Sequence, residues 1–404
     1  MNATGVVVEY NPFHNGHLYH LQESKRKSNA DIVIAVMSGH FLQRGEPALV
    51  SKWARAKMAL LAGVDLVIEL PYSFATQHAE VFAKGSISLL DNMQCSSFCF
   101  GSEDGDIQKF LYTLELLHNK SSNYNQYVQQ YVKEGMSYPS ALSQAFKQFE
   151  SNHTVDLSKP NNILGYHYLE AIKNLSSKME GYTVTRKSAQ YHDIDFSSDT
   201  IASATSIRRK LLATTELDIT EVSSLIPVTT LDVLYDYLKH FEQLHSWEHY
   251  WPLLKYKLLT SSSVELSNLY EVEEGIENRL KREAVHSNSF EEFMQKVKTK
   301  RYTWTRIQRM LLHILTNTSK KEMFSQSEYP SYIRLLGMTA KGRKYLNIKR
   351  KDISLPIITN YSSAKHINFE LDNRAAEVYS LGLHNYERQM ELLLQERQQP
   401  PIMV

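Results

Sequence analysis

The chain has 404 residues, a formal net charge of +1, 42% hydrophobic and 22% charged residues. These values exclude a disordered or collagen-like chain and allow two or three packed domains. The two cysteines, Cys95 and Cys99, exclude a disulfide framework and fit a reducing, cytoplasmic setting; with no apolar run long enough for a bilayer and no signal-peptide pattern at the start, no membrane partner is expected.

Short apolar runs alternate with helical stretches over the first two hundred residues. Gly5 to Tyr10 (GVVVEY) predicts a buried strand because β-branched residues dominate it. A helix comes next from about His17 to Ser28, then a strand at Asp31 to Met37 and a helix at Lys52 to Ala62, stopped by Gly63. Asp65 to Leu70 is the third strand, Ala79 to Asp91 a helix and Ser97 to Phe100 the fourth strand. This alternation predicts an α/β fold with a doubly wound, Rossmann-like parallel sheet. Residues 106–150 turn helical, as an insertion or cover. Lys159 to Asn174 is a helix after Pro160, and Tyr182 to Tyr191 a return strand. Beyond Leu211 the chain is mostly helical, with long stretches at Thr230 to His245, Tyr302 to Thr316 and Asn373 to Gln398. Two domains are expected, 1–215 with the sheet and 216–404 mostly helical.

The first strand runs into a Pro-containing turn and then a helix, through His14-Asn15-Gly16-His17. Ligands of open α/β sheets bind at the carboxyl ends of strands, and a helix N-terminus there offers N–H groups to phosphate. His14 and His17, three residues apart, share one side of the first turn, so two imidazoles can bond phosphate oxygens as charge shifts during nucleotidyl transfer. They are the candidate catalytic residues. The candidate nucleotide-binding segment is Val7, Val8, Glu9, Tyr10, Asn11, Pro12, Phe13, His14, Asn15, Gly16, His17, Leu18, Tyr19 and His20. His14, His17 and His20 also have a spacing open to zinc, but no Cys or Glu stands nearby at ligand spacing, so no protein metal site is expected.

Further candidates for the nucleotide are spread along the chain. Gly101, ending the fourth strand, lets a base or ribose approach the backbone. Asn162, at a helix start, can cap it or bond the nucleotide. Arg186 and Lys187 end the return strand, where either cation can meet a triphosphate. Gln43, Arg44, Lys52 and Arg55 come after the second strand and can meet a phosphate, with a solvated helix face the plainer alternative for Lys52 and Arg55. In ASATSIRR, Ser203 and Thr205 suit a helix cap that binds an anion, and Arg208 its neutralisation.

Charge is uneven. Between Arg279 and Lys351 there are 18 Lys+Arg against 5 Asp+Glu, a balance of +13, and the remainder carries −12. That asymmetry points to a polyanion partner. Lys298, Lys300, Arg301, Arg306 and Arg309 surround Tyr302 and Trp304, and Lys341, Arg343 and Lys344 adjoin Tyr345. Cations interleaved with aromatics suit phosphates plus unpaired bases; helix faces in water remain the plainer alternative.

HNGH resembles the HxGH motif of the nucleotidyltransferase (HIGH) superfamily, in which both histidines contact ATP phosphates. Ser203, Thr205, Ile207 and Arg208 resemble the ISSTxIR element of adenylyltransferase domains, with Ala204 in place of the second Ser. GVVVEYNPFHNGHLYHL, MSGHFLQRGEPALVSKWARAKMALLAGVDLVIELP, FGSE, PNNILGYHYLEAI, ATSIR, KRYTWTRIQR and RLLGMTAKGRKYL occur in this order. Over nearly the whole chain this resembles the bacterial tRNA(Met) cytidine acetate ligase family. The resemblance implies activation of acetate by ATP, with Mg²⁺, to acetyl-adenylate. Transfer to N4 of the wobble cytidine of elongator tRNA(Met) would come next, giving N4-acetylcytidine. It makes 1–215 the ATP and acetate domain and 216–404 the basic tRNA-binding domain, with Tyr72 to Glu80 a positional candidate for the acetate pocket. Two alternatives stay open: an adenylyltransferase acting on a small phosphorylated metabolite, and a non-catalytic tRNA-binding protein.

Overall fold

The computed structural model describes residues 1–136, 138–186, 202–213, 219–326, 328–360 and 367–404. Strands β1 (Ala3–Val8), β2 (Ile32–Ser38), β3 (Leu66–Leu70), β4 (Ser97–Ser102) and β5 (Glu180–Thr185) are the five expected from the N-terminal half. They lie parallel in the order β5-β4-β1-β2-β3. The crossovers include α1 (Asn15–Ser28), α2 (Lys52–Leu61), α3 (Tyr72–Ala75) and α4 (Ala79–Asn92). β1 and β2 pair from Ala3↔Ile32 to Val8↔Met37, so their carboxyl ends reach one edge together.

Side chains alternate across this sheet, as a two-residue period demands. Val6, Val8, Val33, Ala35, Met37 and Val67 enter one core; Ile32, Ile34, Val36, Leu66, Ile68 and Leu70 enter the other. Both faces are covered, which explains the nearly continuous apolar runs in the sequence. The first core continues without a break into the helices between Val228 and Leu315.

The sheet does not stop near residue 215. β6 (Ile333–Met338) joins β3 antiparallel, with a bulge at Val67/Ile68, and β7 (Ile357–Ile358) and β8 (Ile402–Met403) both pair parallel with β6. The C-terminal half is mostly helical, as expected, and from β6 onward it also adds three short strands to the sheet. Gly337 permits the close packing there: a Cβ on it would lie 2.6 Å from Leu60 and 3.0 Å from the Ile402 carbonyl.

The helix expected at Asn373 to Gln398 is two, Ile367–Ser380 and Tyr386–Gln398. Gly382 fits under the Tyr250 ring, where a Cβ would come within 2.3 Å, and Asn385 caps the second helix through its side-chain oxygen. Residues 107–146 form three helices, as the expected insertion or cover. Among the described residues no helix is long and apolar enough to cross a membrane.

Candidate active site

β1 ends at Val8, and the chain turns sharply at Tyr10, whose φ of 49° lies in the left-handed region. Tyr10 and Phe13 are buried, so this turn is packed from below. Their rings lie 4.6 Å apart, and those of Tyr10 and His17 5.0 Å. α1 then opens with its two histidines as reciprocal caps. His14 Nδ1 accepts the Gly16 N–H at 3.0 Å, and His17 Nδ1 accepts the His14 N–H at 3.3 Å. The rings stack with centroids 3.7 Å apart.

That geometry sets the protonation state. A nitrogen accepting an N–H cannot carry a proton, so each neutral ring is protonated on Nε2. Burial, then Arg186 and Arg208, push His14 down to about 3. His17 lies well below its ordinary value through burial, His14, Arg186 and His20, with a Pro12 carbonyl acting the other way. His20 is pushed down to about 4 by burial and Arg186. At neutral pH the pair is a set of fixed, neutral N–H donors, suited to a phosphate whose charge changes during reaction.

Two guanidinium groups complete the crevice. Arg186 comes just after β5 and approaches Gly101 and His20: a Cβ on Gly101 would lie 3.3 Å from Arg186 Cγ and 3.7 Å from His20 Cδ2. Arg186 Nη1 donates to Asn161 Oδ1 at 3.3 Å, and Asn161 donates to Glu103 Oε1 at 2.7 Å. Arg208, in the helix Ala204–Ala213, donates to the Asn11 carbonyl at 3.1 Å and to Glu46 at 2.8 Å. Ser203 Oγ caps that helix through Ser206 N–H, and Thr205 Oγ1 lies 3.5 Å from Arg208 Nη2. The structure thus gathers His14, His17, His20, Gly101, Arg186 and Arg208 around one edge of the sheet.

Other candidates have structural duties. Asn162 is buried; its oxygen accepts Glu103 and Asp104 N–H groups and its amide donates to the Asp156 carbonyl. It shapes the loop after β4, and its neighbour Asn161 is the asparagine that meets Arg186. Asn15 points away, bonding the Ser224 carbonyl at 2.9 Å. Val8 and Leu18 pack into the core. Lys187 lies outside the described residues, as does the end of the expected return strand.

Lys52 and Arg55, expected as phosphate ligands or solvated residues, are neither. Arg55 is fully enclosed and donates to the carbonyls of Glu9 (2.7 Å), Ser38 (3.1 Å) and Gly39, tying the carboxyl ends of β1 and β2 together. Lys52 is buried between Glu69 (2.7 Å) and Glu396 (2.8 Å). A small cavity beside them is lined by Gly39, His40, Phe41, Glu69, Tyr72, Ala75, Asp372 and Ala375. Tyr72 and Ala75 belong to the segment proposed for acetate, but a carboxylate in that cavity would face Glu69 and Asp372.

The basic candidates fall on two separate surfaces. Helix Trp304–Leu315 packs against the loop after β2: a Cβ on Gly45 would lie 2.5 Å from Arg309 N. Lys298, Lys300 and Arg301 are exposed on that side; Arg301 pairs with Glu274 (2.7 Å), Arg309 with Glu271 (3.0 Å), and Arg306 stacks 4.5 Å over Tyr302. Lys341, Arg343 and Lys344 are exposed on the helix after β6, and Lys341 bonds the carbonyl of Asp31, at the amino end of β2. They lie at the sheet edge opposite the histidines.

A parallel Rossmann-like sheet with paired histidines opening the helix after its first strand defines a nucleotidyltransferase-type site. Residues 1–392 match the HIGH Nucleotidyl Transferase family. Proteins named tRNA(Met) cytidine acetate ligase from Lysinibacillus sphaericus and Bacillus subtilis are 49% and 48% identical, over 100% of this chain and 100% and 97% of theirs. Crystal structures of Thermotoga maritima TmcAL, apo and bound with alpha-thio ATP, superpose with TM-scores of 0.91 and 0.90 at 33% and 32% identity, each covering 100% of both chains. The chain belongs to the tRNA(Met) cytidine acetate ligase family of HIGH nucleotidyl transferases.

Proposed function

We propose that the chain activates acetate with ATP and transfers the acetyl group to N4 of the wobble cytidine of elongator tRNA(Met). The observation that carries this reading is the neutral histidine pair flanked by Arg186 and Arg208 at the carboxyl edge of β1. The relatives' name, over the full chain, supplies the tRNA and the ligase chemistry.

An acetate oxygen attacks the α-phosphorus, the bond to the β,γ-phosphates breaks, and pyrophosphate leaves. His14 and His17 donate N–H bonds to the triphosphate while Arg186 and Arg208 balance its charge. The cytidine N4 then attacks the acetyl carbon and AMP leaves. Among the described residues no group of three His, Cys, Asp or Glu side chains is placed to hold a metal. Mg²⁺ arriving with ATP would be held mainly by phosphate oxygens and water, where it supplies charge neutralisation.

Lys298, Lys300 and Arg306 are the cations we assign to the tRNA near its reacting base, because their helical region abuts the active-site edge. Lys341, Arg343 and Lys344 can reach only a more distant part of so long a polyanion. The test is incubation with labelled acetate, ATP and total tRNA, then nucleoside analysis. N4-acetylcytidine in elongator tRNA(Met) supports the reading. Label remaining on a small metabolite favours a metabolite adenylyltransferase, and tRNA binding without acetate-dependent ATP–pyrophosphate exchange favours a non-catalytic binder.

A further inference from the structure

Transfer of an acetyl group to an exocyclic amine releases a proton, and the crevice is short of groups able to take it. His14 and His17 use Nδ1 to accept backbone N–H groups, so their Nε2 atoms are donors. Glu46 is paired with Arg208 at 2.8 Å. Glu103 accepts from Asn161 and from the Asn162 backbone at 2.7 and 2.9 Å. His20 is a weak base, pushed down to about 4 by burial and Arg186, and its Nε2 lies 3.5 Å from the Ser24 hydroxyl on its own helix. That leaves Glu9, the residue directly after β1.

Glu9 is partly buried where β1 ends, directly before the Tyr10 turn. Its Oε1 accepts the Gln43 N–H at 2.8 Å, which fixes the carboxyl group, and among the described residues it has no ion-pair partner within 4 Å. Its backbone carbonyl is held by Arg55 at 2.7 Å. The next residue, Tyr10, has its ring 5.0 Å from that of His17, and Arg208 holds the Asn11 carbonyl at 3.1 Å, so the turn that begins at Glu9 borders the crevice of the histidine pair. The charged and titratable groups around it are Arg44 and Glu46 from the loop after β2, Arg55 from α2, Tyr168 from the helix Pro160–Asn174, and Arg208. Burial and Glu46 raise the Glu9 pKa; the Gln43 bond, Arg44 and Arg208 oppose this, and the net direction is upward. A carboxylate displaced upward is a better proton acceptor at neutral pH.

We propose that Glu9 is the general base of the transfer step, accepting the proton that cytidine N4 loses as it attacks the acetyl-adenylate. The inference rests on the acetate-ligase reading above. The N4 lone pair forms a bond to the acetyl carbon, and the C–O electrons return to AMP as the mixed anhydride breaks. The N4 proton passes to a Glu9 oxygen and from there to solvent.

The test uses the full-length chain carrying Glu9→Gln, whose amide keeps the side chain's shape and an oxygen for the Gln43 N–H. Two rates are measured: acetate-dependent ATP–pyrophosphate exchange, and single-turnover transfer from synthetic acetyl-adenylate to transcribed elongator tRNA(Met). The ratio of transfer to exchange falls about 100-fold, the lower range for loss of a general base. The unaltered chain's transfer rate rises with pH through an acid limb that Glu9→Gln lacks. Glu9→Asp, which retains a carboxylate, recovers part of the transfer rate and keeps the limb, including where Glu9→Gln folds poorly. Exchange and transfer falling in parallel, or an unchanged ratio, overturns the assignment. If the unaltered chain shows no acetate-dependent exchange, the acetate-ligase reading itself fails, and the assignment with it.

Discussion

Arg208 reaches Glu46 across the mouth of the crevice at 2.8 Å, joining a helix far along the chain to the loop after β2. Its other arm holds the Asn11 carbonyl at 3.1 Å, directly ahead of the histidines. Arg208 therefore has a bound position before any phosphate arrives, and little reorganisation is needed to engage one. Arg208→Ala should lower acetate-dependent exchange about 100-fold, the usual loss for one preorganised donor. Arg208→Lys should recover little of it, because an ammonium cannot serve two acceptors with a planar fork. Exchange kinetics at saturating and limiting ATP check this.

The buried histidines give a pH signature. His14 and His313 are held down to about 3, and His20 and His78 to about 4, in each case with burial as the largest cause. Unfolded histidines bind protons below about 6.5, so between that pH and 4 the unfolded state takes up more protons than the folded one. Stability should fall as pH drops through this window and level off above pH 7. Thermal unfolding at pH 5, 6, 7 and 8 checks the sign; a melting temperature that is flat from 5 to 7 contradicts it.

Lys52 should be a stability residue. Its ammonium is enclosed by Glu69 and Glu396, and Glu396 also accepts the Trp53 indole N–H at 3.2 Å. Lys52→Met removes the only cation bonded to both carboxylates among the described residues, and breaking a buried pair in this way costs about 3–5 kcal/mol. Urea unfolding monitored by tryptophan fluorescence measures it. Glu69→Gln combined with Glu396→Gln and Lys52→Met should recover part of the loss.

The two basic surfaces predict different phenotypes. Joint replacement of Lys298, Lys300 and Arg306 by Ala should weaken tRNA binding, reduce the salt slope by about 2 to 3, and lower transfer while sparing acetate-dependent exchange. Lys341→Ala with Arg343→Ala should also weaken binding and flatten the slope, by less. Titrations of tRNA at several salt concentrations separate the two.

Much of this arrangement is visible in the sequence because it depends on local patterns. β-branched runs mark the first three strands and the aromatic SFCF run the fourth, and the HNGH spacing places both histidines on one helical turn whatever the rest of the chain does. β6 is hidden for the opposite reason: RLLGMT is a short apolar run whose strand character comes from pairing with β3. Glu46 and Asn161 meet the site through Arg208 and Arg186, which arrive from distant segments. Lys52 and Arg55 look like solvent-facing cations, and only tertiary packing encloses them. The opposed positions of the two basic clusters result from β6 running antiparallel, which no composition encodes.

The most direct measurement is a crystal structure of this chain with a non-hydrolysable ATP analogue and acetate. Phosphate oxygens at about 3 Å from Nε2 of both His14 and His17 are the predicted result. A triphosphate lodged elsewhere, with both imidazoles facing only water or protein, would contradict it.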